Sequence, residues 1–359
     1  MKYLVRLKPL DSFFFSGKNT FRFRNGEKRK EANHYIESEY YPQQTTLLGV
    51  IRKELLIKKG WFRENRNDYA KDIRDKKLNS SKLYSLVGKG SFNAKGKNDF
   101  GVIKNISPLF LYNDGKLYKE NSLKEQLGKK KYDNFKDKNI KFKVSDKTAR
   151  VYLGNQKKEG TFLLEEYDQK EEGVKEVVSI KNSGEKIKLS TIFKDDLRVG
   201  IDVNKKEAFY KQKFLRLEKN WEFSFILDLS EEIFDSNYEN IVYIGAESKP
   251  FKMSIEKTEE SLNDFLPDKG EIELLSDSII KQEDYNTIVE NSYFILGEFK
   301  YFKNFRVEDG KYQKSNPMLI LKKGSIIFYK KDKSKIIKEK LENKEYKKIG
   351  YNYIIGGEE

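Results

Sequence analysis

Hydrophobic and polar residues alternate along residues 3–9, near the start of the chain. Tyr3 and Leu7 occupy one set of alternate positions, and Arg6 and Lys8 occupy the other. Successive side chains of a strand point to opposite faces of its sheet. The period of two therefore predicts a β-strand with one buried face and one solvated face.

A helical period follows further along the chain. Leu47, Ile51 and Leu55 recur every four residues and form one apolar stripe. Their spacing predicts an amphipathic helix over about residues 45–59. Because the apolar face of the strand at 3–9 must be covered, we expect this helix to pack on the sheet that contains the strand.

The ends of the predicted helix carry residues that commonly begin and end helices. The hydroxyl group of Thr45 or Thr46 can accept a hydrogen bond from a backbone N–H of the first turn. Gly60 can adopt the left-handed conformation in which many helices end. We therefore expect one of the two threonines to cap the helix and the glycine to terminate it.

The remaining periodicity predicts mostly strands. Short apolar runs predict strands at 223–229, 241–244, 292–301, 318–321, 325–329 and 351–355, and a helical run predicts a late helix at 333–341. Asp114 and Gly115 form a tight-turn dipeptide between two more short strands. Strands and helices that do not strictly alternate indicate an α+β fold.

Two polar regions show no apolar period. Residues 17–39 are basic, and their composition predicts a loop or a mobile hairpin. Residues 63–104 are rich in charge, glycine and asparagine, and they predict a flexible loop.

The charge balance of the chain indicates what kind of partner it binds. Among 359 residues there are 72 Lys and Arg against 57 Asp and Glu, a net charge of +15. That excess favours a polyanionic partner, and nucleic acid is the commonest one. A generally lysine-rich chain would be basic without such a partner. The length suggests about two domains, at roughly 100–200 residues each.

Composition also excludes several kinds of site. The chain has no cysteine, which excludes disulfides, thiolate metal sites and cysteine nucleophiles, and agrees with a cytoplasmic location. The single histidine, His34, excludes a metal site built from three histidines. No apolar run approaches the ~20 residues that span a bilayer. We therefore expect no cofactor, no metal and no membrane association.

The basic segment near the N-terminus offers a chemistry for binding RNA. In a strand, Arg22 and Arg24 would share one face, and Phe21 and Phe23 would share the other. Guanidinium groups neutralise phosphates, and aromatic rings stack on unpaired bases. The same alternation also fits an ordinary amphipathic edge strand.

His34 could act as a general base in metal-independent RNA cleavage, in which the 2′-hydroxyl attacks the adjacent phosphate. The alternative is a loop histidine that contacts a phosphate or a base. The chain has no second histidine to serve as general acid. We expect no catalytic activity, and an endoribonuclease that uses His34 is the alternative function.

Five stretches carry motifs in a fixed order along the chain. They are P-L-D-S-F-F-F at 9–15, Y-P-Q-Q-T-T-L-L-G-V-I-R at 41–52, R-V-G-I at 198–201 with F-L-R-L at 214–217, Y-I-G-A-E-S-K-P at 243–250, and K-G-S-I-I-F-Y at 323–329. Together they resemble the third Cmr subunit family, which consists of RAMP-superfamily proteins of type III-B CRISPR effector complexes. The resemblance covers nearly the whole chain.

The resemblance implies a fold and a role in antiviral defence. The implied fold is two ferredoxin-like (RRM-related) RAMP domains with long basic insertions. The N-terminal domain would span 1–235, with an insertion at about 62–197 and a hairpin at about 198–214, and the C-terminal domain would span 236–359. The implied role is a non-catalytic subunit that caps the 5′ handle of the CRISPR RNA. Its implied protein partners are the large polymerase–cyclase subunit and the adjacent RAMP backbone subunit.

The candidate RNA-binding residues come from the basic segment, the helix start, the hairpin and a glycine near the C-terminus. The hairpin is expected to project, with its turn at 204–206. The C-terminal glycine-rich loop of the family is reduced here to a single glycine beside a tyrosine. The candidates are Lys18, Arg22, Arg24, Arg29, His34, Gln43, Gln44, Thr45, Thr46, Arg52, Arg198, Lys205, Lys206, Lys211, Gly350 and Tyr351.

Overall fold

The structure is a computed structural model. It describes residues 1–22, 33–122, 140–145, 148–153, 156–157, 174–180, 185–201, 209–245, 247–260, 271–302, 305–308, 311–315, 317–330 and 332–357. Four of the candidate residues lie outside the described residues, namely Arg24, Arg29, Lys205 and Lys206. The expected hairpin turn and much of the expected insertion also lie outside them.

The helices are α1 (Gln44–Lys58), α2 (Arg66–Arg74), α3 (Ser80–Val87), α4 (Leu189–Ile192), α5 (Gln282–Asn291), α6 (Ser334–Leu341) and α7 (Lys344–Lys347). The strands of the first half are β1 (Lys2–Pro9), β2 (Ser16–Arg22), β3 (Asn33–Ser38), β4 (Ile103–Ile106), β5 (Phe110–Asn113), β6 (Lys116–Glu120), β7 (Ile140–Ser145), β8 (Thr148–Leu153), β9 (Gln156–Lys157), β10 (Glu176–Ser179) and β11 (Lys186–Lys188). The later strands are β12 (Phe193–Ile201), β13 (Phe209–Leu217), β14 (Glu222–Leu229), β15 (Asn237–Ile244), β16 (Lys249–Lys257), β17 (Ile272–Leu274), β18 (Ser278–Ile280), β19 (Ser292–Leu296), β20 (Phe299–Phe302), β21 (Phe305–Glu308), β22 (Lys311–Lys314), β23 (Met318–Leu321), β24 (Ile326–Tyr329) and β25 (Ile354–Ile355).

The chain divides into two compact units. The first unit comprises residues 1–89, 99–117 and 187–260, and the second comprises 90–98, 118–186 and 261–359. Helices and largely antiparallel sheets occur together in the described residues, so the α+β class is confirmed. Among those same residues, no helix is both long and apolar enough to cross a membrane.

The large sheet of the first unit contains the predicted N-terminal strand. Its order is β5-β14-β1-β16-β15, and β4 also pairs with β14. Within β1, Tyr3, Val5 and Leu7 are buried, and Val5 lies opposite Phe225 on one side and Ile255 on the other. The predicted alternation along residues 3–9 is confirmed.

Helix α1 is tied to this sheet through a buried carboxylate. Glu54 accepts hydrogen bonds from the Tyr238 hydroxyl at 2.9 Å and from Asn240 Nδ2 at 2.7 Å, both on β15. Burial and the neighbouring carboxylate raise the pKa of the Tyr238 phenol. The predicted contact between the helix and the sheet is confirmed.

The prediction for the start of α1 is wrong, and the prediction for its end is confirmed. The N-cap residue is Gln43, whose carbonyl accepts the Thr46 N–H at 2.8 Å, and no side chain caps the helix. The prediction of a threonine cap is therefore wrong, because Thr45 and Thr46 already lie inside the first turn. Gly60 follows the C-cap with φ +70°, as expected.

Part of the predicted loop at 63–104 is helical. Helix α3 begins at a cap formed by the Asn79 side chain, which accepts the Ser81 N–H at 2.8 Å and the Lys82 N–H at 3.3 Å. Helix α2 has only three apolar residues, Tyr69, Ala70 and Ile73, which make one helical repeat and not the sustained period on which the prediction relied. The loop prediction was wrong for both helices.

The second unit is built from smaller sheets. One has the order β19-β24-β17-β25, another has the order β18-β23-β20, and its core includes Ile272, Ile327, Ile337 and Leu341. The strands predicted at 318–321 and 325–329 are confirmed, as is the late helix. The run at 292–301 is two strands, and helix α5 before it was not predicted. Only the last two residues of the run at 351–355 form a strand, β25.

Candidate nucleic-acid interface

The basic segments near residues 20 and 200 form one sheet in the first unit. Its order is β12-β13-β3-β2. Strands β12 and β13 pair without interruption from Phe193 opposite Leu217 to Ile201 opposite Phe209. The hairpin therefore starts five residues before Arg198, where the sequence placed its beginning. The region predicted as a loop or hairpin at 17–39 supplies β2 and β3.

The base of this hairpin is joined to the P-L-D-S-F-F-F stretch. Phe13 N donates to Leu215 O at 2.7 Å, and Leu215 N donates to Phe13 O at 3.0 Å. The buried Phe13 ring also packs edge to face against Phe193 and Phe223, with centroids 6.5 and 5.6 Å away. Such aromatic contacts bury large areas and fix the direction in which the hairpin leaves the sheet.

Arg198 reinforces the same junction from the surface. Its guanidinium donates to Ser12 Oγ and to Asp196 Oδ2, the latter at 3.2 Å, and it lies 4.3 Å from the centroid of the Phe214 ring. The ammonium group of Lys249 lies 5.2 Å from that same ring. Two cations thus share one aromatic side chain, an arrangement that holds positive charge near the protein surface.

A third motif meets the other two at Gly245. This glycine has φ +86°, and a Cβ atom there would lie 2.5 Å from the carbonyl oxygen of Phe14. Only glycine allows so close an approach in that conformation. The stretches at 9–15, 198–217 and 243–250, which are far apart in sequence, therefore pack together in the first unit.

One face of the hairpin combines exposed aliphatic and basic side chains. Leu197 and Val199 are 55% and 56% exposed, which is unusual for their residue types. They lie opposite Lys213 and Lys211 in the strand register, and Lys211 is also exposed. Lys213 pairs with Asp195 at 2.9 Å. The face can therefore offer apolar contact to a base and positive charge to a phosphate.

His34 lies on an interior strand and not in a loop. Its position on β3 is opposite Phe21 of β2 on one side and Tyr210 of β13 on the other. The expectation that His34 lies in a loop is therefore wrong. No group of three or more His, Cys, Asp or Glu residues in the described part of the chain could hold a metal ion. Lys18 and Arg22 lie on the neighbouring strand β2.

The candidate residues of helix α1 separate into two groups. Gln43 marks its start, Gln44 is buried, and Thr45 and Thr46 are half-buried in the first turn. Arg52, two turns further on, donates from its guanidinium to Asp99 O at 2.7 Å. Burial lowers the pKa of Arg52, and the Asp99 carboxylate opposes that shift. Arg52 therefore holds the loop at Asp99 in place.

The C-terminal candidates belong to the core of the second unit. Tyr351 is fully buried, and its ring stacks on Phe92 with centroids 6.2 Å apart. Gly350 has φ +89° and donates its N–H to Lys347 O at 3.0 Å. A buried ring cannot stack on a base, so the Tyr351 side chain serves the core of the second unit and not RNA binding.

Sequence reasoning missed the cations at the base of the hairpin. Lys194 and Arg216 lie opposite each other in the register, and both line an open groove of about 790 Å³. Asp11 lies in the same groove, 3.8 Å from Arg216. The sequence alone does not place Lys194 opposite Arg216, because their contact depends on the register of the hairpin.

Comparison with solved structures shows the same fold in complexes that carry RNA. A chain of the type III-B Cmr-beta complex bound to cognate target RNA, solved by cryo-EM, is 17% identical, with a TM-score of 0.50 over 99% of this chain and 97% of that chain. A chain of that complex with cognate target RNA and AMPPnP, state 1, is 16% identical, with a TM-score of 0.51 over the same shares. A search of curated protein sequences gave no match.

The sequence itself was also compared with models of protein families. Residues 5–283 match the family described as CRISPR-associated protein (Cas_Cmr3). That span is well over half of the chain, and it contains the three stretches that meet at the base of the hairpin. The match confirms the resemblance found in the motifs, and the chain belongs to the CRISPR-associated Cas_Cmr3 family.

Proposed function

We propose that this protein is a non-catalytic subunit of a type III-B CRISPR effector complex that binds and caps the 5′ handle of the CRISPR RNA. In this role it bridges the large polymerase–cyclase subunit to the adjacent RAMP backbone subunit. The fold would be two ferredoxin-like RAMP domains, 1–235 and 236–359, the first carrying an insertion at 62–197. The complex would act in antiviral defence in the cytoplasm.

The observation that carries this proposal is the hairpin face made of Leu197, Val199 and Lys211. The two exposed aliphatic side chains lie beside a lysine on an anchored hairpin, so the face combines an apolar surface with a positive charge. RNA offers both of the surfaces that this face complements, namely unstacked bases and phosphates. The contacts of Ser12 and Phe13 with the hairpin hold the face in one orientation before RNA arrives.

The start of helix α1 supports the same role. The backbone N–H groups of a first helical turn favour an anion such as phosphate. Gln43, Thr45 and Thr46 lie at that turn and are partly exposed. We assign them to the handle site together with Lys18, Arg22, His34 and Arg198.

Catalysis by His34 would need a second group. A general base for RNA cleavage works with a general acid on the other side of the phosphate, and the chain has no second histidine to supply it. Single-turnover incubation of repeat RNA without metal is expected to give no cleavage with the wild type or with His34→Ala. Site-specific cleavage that disappears in His34→Ala would favour the endoribonuclease instead.

The handle-binding test uses the full-length chain and a synthetic RNA with the handle sequence of its own CRISPR repeat. Affinity is measured at several salt concentrations for the wild type, Lys211→Ala and the control Lys104→Ala, whose lysine is exposed on β4. Loss of one phosphate contact should lower the salt slope by about 0.7–1 in Lys211→Ala only. Equal slopes for all three proteins would contradict the proposed role of the hairpin face.

A further inference from the structure

The last strand of the large sheet in the first unit, β15, forms an open edge. It pairs with β16 in an unbroken antiparallel register from Asn237 opposite Glu256 to Ile244 opposite Lys249. No strand within the described ranges pairs with its other side. We propose that this edge binds an extended segment of a partner protein, which joins the sheet as an additional strand.

The direction of the backbone groups on β15 follows from its neighbours. Leu10 N donates to Pro250 O at 3.1 Å, so Pro250 and every second residue after it along β16 bond toward β1. The intervening residues of β16 bond toward β15. The residues of β15 that remain, Glu239, Ile241 and Tyr243 among them, direct their N–H and C=O groups outward.

One of these outward groups is occupied by a local side chain. Ile241 N donates to Oδ1 of Asn240, the preceding residue, at 2.9 Å. A short-range contact of this kind competes with strand pairing and can be exchanged for it. The Ile241 N–H is therefore satisfied within the chain and can still be exchanged for a bond to a partner strand.

Strand β15 lacks the features that usually protect edges from pairing. Natural edge strands carry proline, bulges or several charges, especially lysine. The sequence of β15 is N-Y-E-N-I-V-Y-I, with no proline and a single charge, and its register has no bulge. The one charge, Glu239, is paired with Lys252 at 2.8 Å.

Exposed apolar side chains continue from the edge toward the end of β1. Ile241 and Tyr243 are exposed, Tyr243 lies opposite the half-buried Pro250, and Pro250 is bonded to the exposed Leu10, which follows β1. This apolar row can pack against the side chains of an added strand. The occupant is thus a strand that places apolar side chains beside Ile241 and Tyr243.

The outward backbone groups favour a protein segment over RNA. Charge does not separate the two ligands, because Lys252 beside Ile241 pairs with Glu239, whereas Lys8 lies opposite Lys252 on the other side. A strand is recognised by backbone hydrogen bonds and by alternate apolar side chains, and β15 offers both. The identification of the partner protein as a neighbouring subunit of the complex rests on the proposed function. The open edge itself does not depend on that function.

The direct test is hydrogen exchange of the full-length chain, alone and within the reconstituted complex. The amides of residues 237–244 are expected to gain protection on assembly. Ile241→Lys and Ile241→Pro are each expected to lower incorporation into the complex about tenfold or more. The proline takes away the apolar side chain and the outward N–H, and because that N–H does not bond to β16, the ladder to β16 keeps its hydrogen bonds. Val289→Lys, at an exposed position on α5, is the matched control and should assemble normally.

Four outcomes would overturn the proposal, three of them measured without the assembly of variants. These three are unchanged exchange at 237–244 on assembly, dimerisation of the purified chain that Ile241→Pro abolishes, and protection of the edge by CRISPR RNA alone. The fourth is normal incorporation of both Ile241 variants. Failure of the proposed function gives another result. Handle binding would then be insensitive to Lys211→Ala, while residues 237–244 would still gain protection on assembly.

Discussion

Two arginines that the sequence placed in one RNA-binding set lie in different surroundings. Arg52 lies on α1 and donates to the backbone carbonyl of Asp99, inside the first unit. Arg198 lies on β12 at the surface, where it contacts Ser12, Asp196 and the Phe214 ring. Both side chains position another segment of the chain, but only Arg198 does so beside exposed basic and aliphatic residues.

The difference is one of solvation. Burial lowers the pKa of the Arg52 guanidinium, so its charge is already poorly hydrated and committed to the Asp99 loop. The Arg198 side chain is 40% exposed, which leaves part of its guanidinium in contact with solvent. A basic residue in a motif therefore indicates an RNA contact only where the fold leaves its charge accessible.

The largest expected effect is the loss of the loop that Arg52 holds. A Cβ atom on Gly88 would overlap the backbone carbonyl of Asp99, and Gly88 has φ +77°. We expect Gly88→Ala to lower the free energy of unfolding by about 3 kcal/mol or more, since both backbone strain and the overlap must be relieved. Urea denaturation of the full-length chain measures it.

The matched control for this substitution is Gly90→Ala. Gly90 has φ +78°, but no described atom lies within 4 Å of its would-be Cβ. Gly90→Ala should lower the free energy of unfolding only by the cost of placing alanine at a positive φ, about 1 kcal/mol. Equal losses for the two glycines would show that the Asp99 loop moves freely, and the structural role of Arg52 would then be wrong.

The second prediction is that alanine substitution of Arg52 lowers stability more than RNA binding, whereas alanine substitution of Arg198 lowers RNA binding more than stability. Arg52→Ala should cost about 1–3 kcal/mol of stability, because the Asp99 carbonyl loses its donor, while the folded protein keeps its affinity for the handle. Arg198→Ala should cost about 1 kcal/mol or less, because its contacts are partly solvated. Its handle affinity should fall, since the hairpin loses an anchor.

Denaturation and handle binding are measured on the same preparations of both variants. Arg52→Lys and Arg198→Lys serve as controls that keep the charge but lose the planar fork of donors. The comparison between the arginines fails if Arg52→Ala weakens handle binding more than Arg198→Ala does. In that case the sequence-based assignment of Arg52 to the RNA would be restored.

Periodicity was sufficient where one face of an element is buried. Strand β1 and helix α1 each bury a regular stripe, and both were predicted from Tyr3, Leu7 and the leucines of the helix. The apolar stripe of helix α2 is limited to Tyr69, Ala70 and Ile73, and helix α3 begins at the cap formed by Asn79. Their existence rests on local hydrogen bonds and tertiary packing, which a search for apolar periods does not detect.

The candidate site was predictable in its parts but not in its assembly. The motifs containing Phe13, Arg198 and Gly245 were each visible in the sequence. Their contact depends on pairings between residues about 200 positions apart, such as Phe13 with Leu215, which no single stretch encodes. The same holds for Tyr351, whose burial is set by the distant Phe92.

The smallest expected effect is a pH dependence at the hairpin anchor. A hydrogen bond from Ser12, followed by the bond and charge of Arg198, lowers the pKa of Asp196 below its usual value of 3.8. The folded state therefore binds this proton less readily than the unfolded chain. The contribution to stability is complete above pH 3.8 and is lost as the pH falls through the lowered pKa. Its size is small because the carboxylate is partly exposed to solvent.

Unfolding free energies of the wild type and Asp196→Asn, measured from about pH 6 down to about pH 3, should converge at the acid end. Ser12→Ala should flatten the difference, since it removes the first cause of the shift. Parallel curves for the wild type and Asp196→Asn would mean that Asp196 does not help to hold the hairpin, and Arg198 would then act through Ser12 and Phe214 alone.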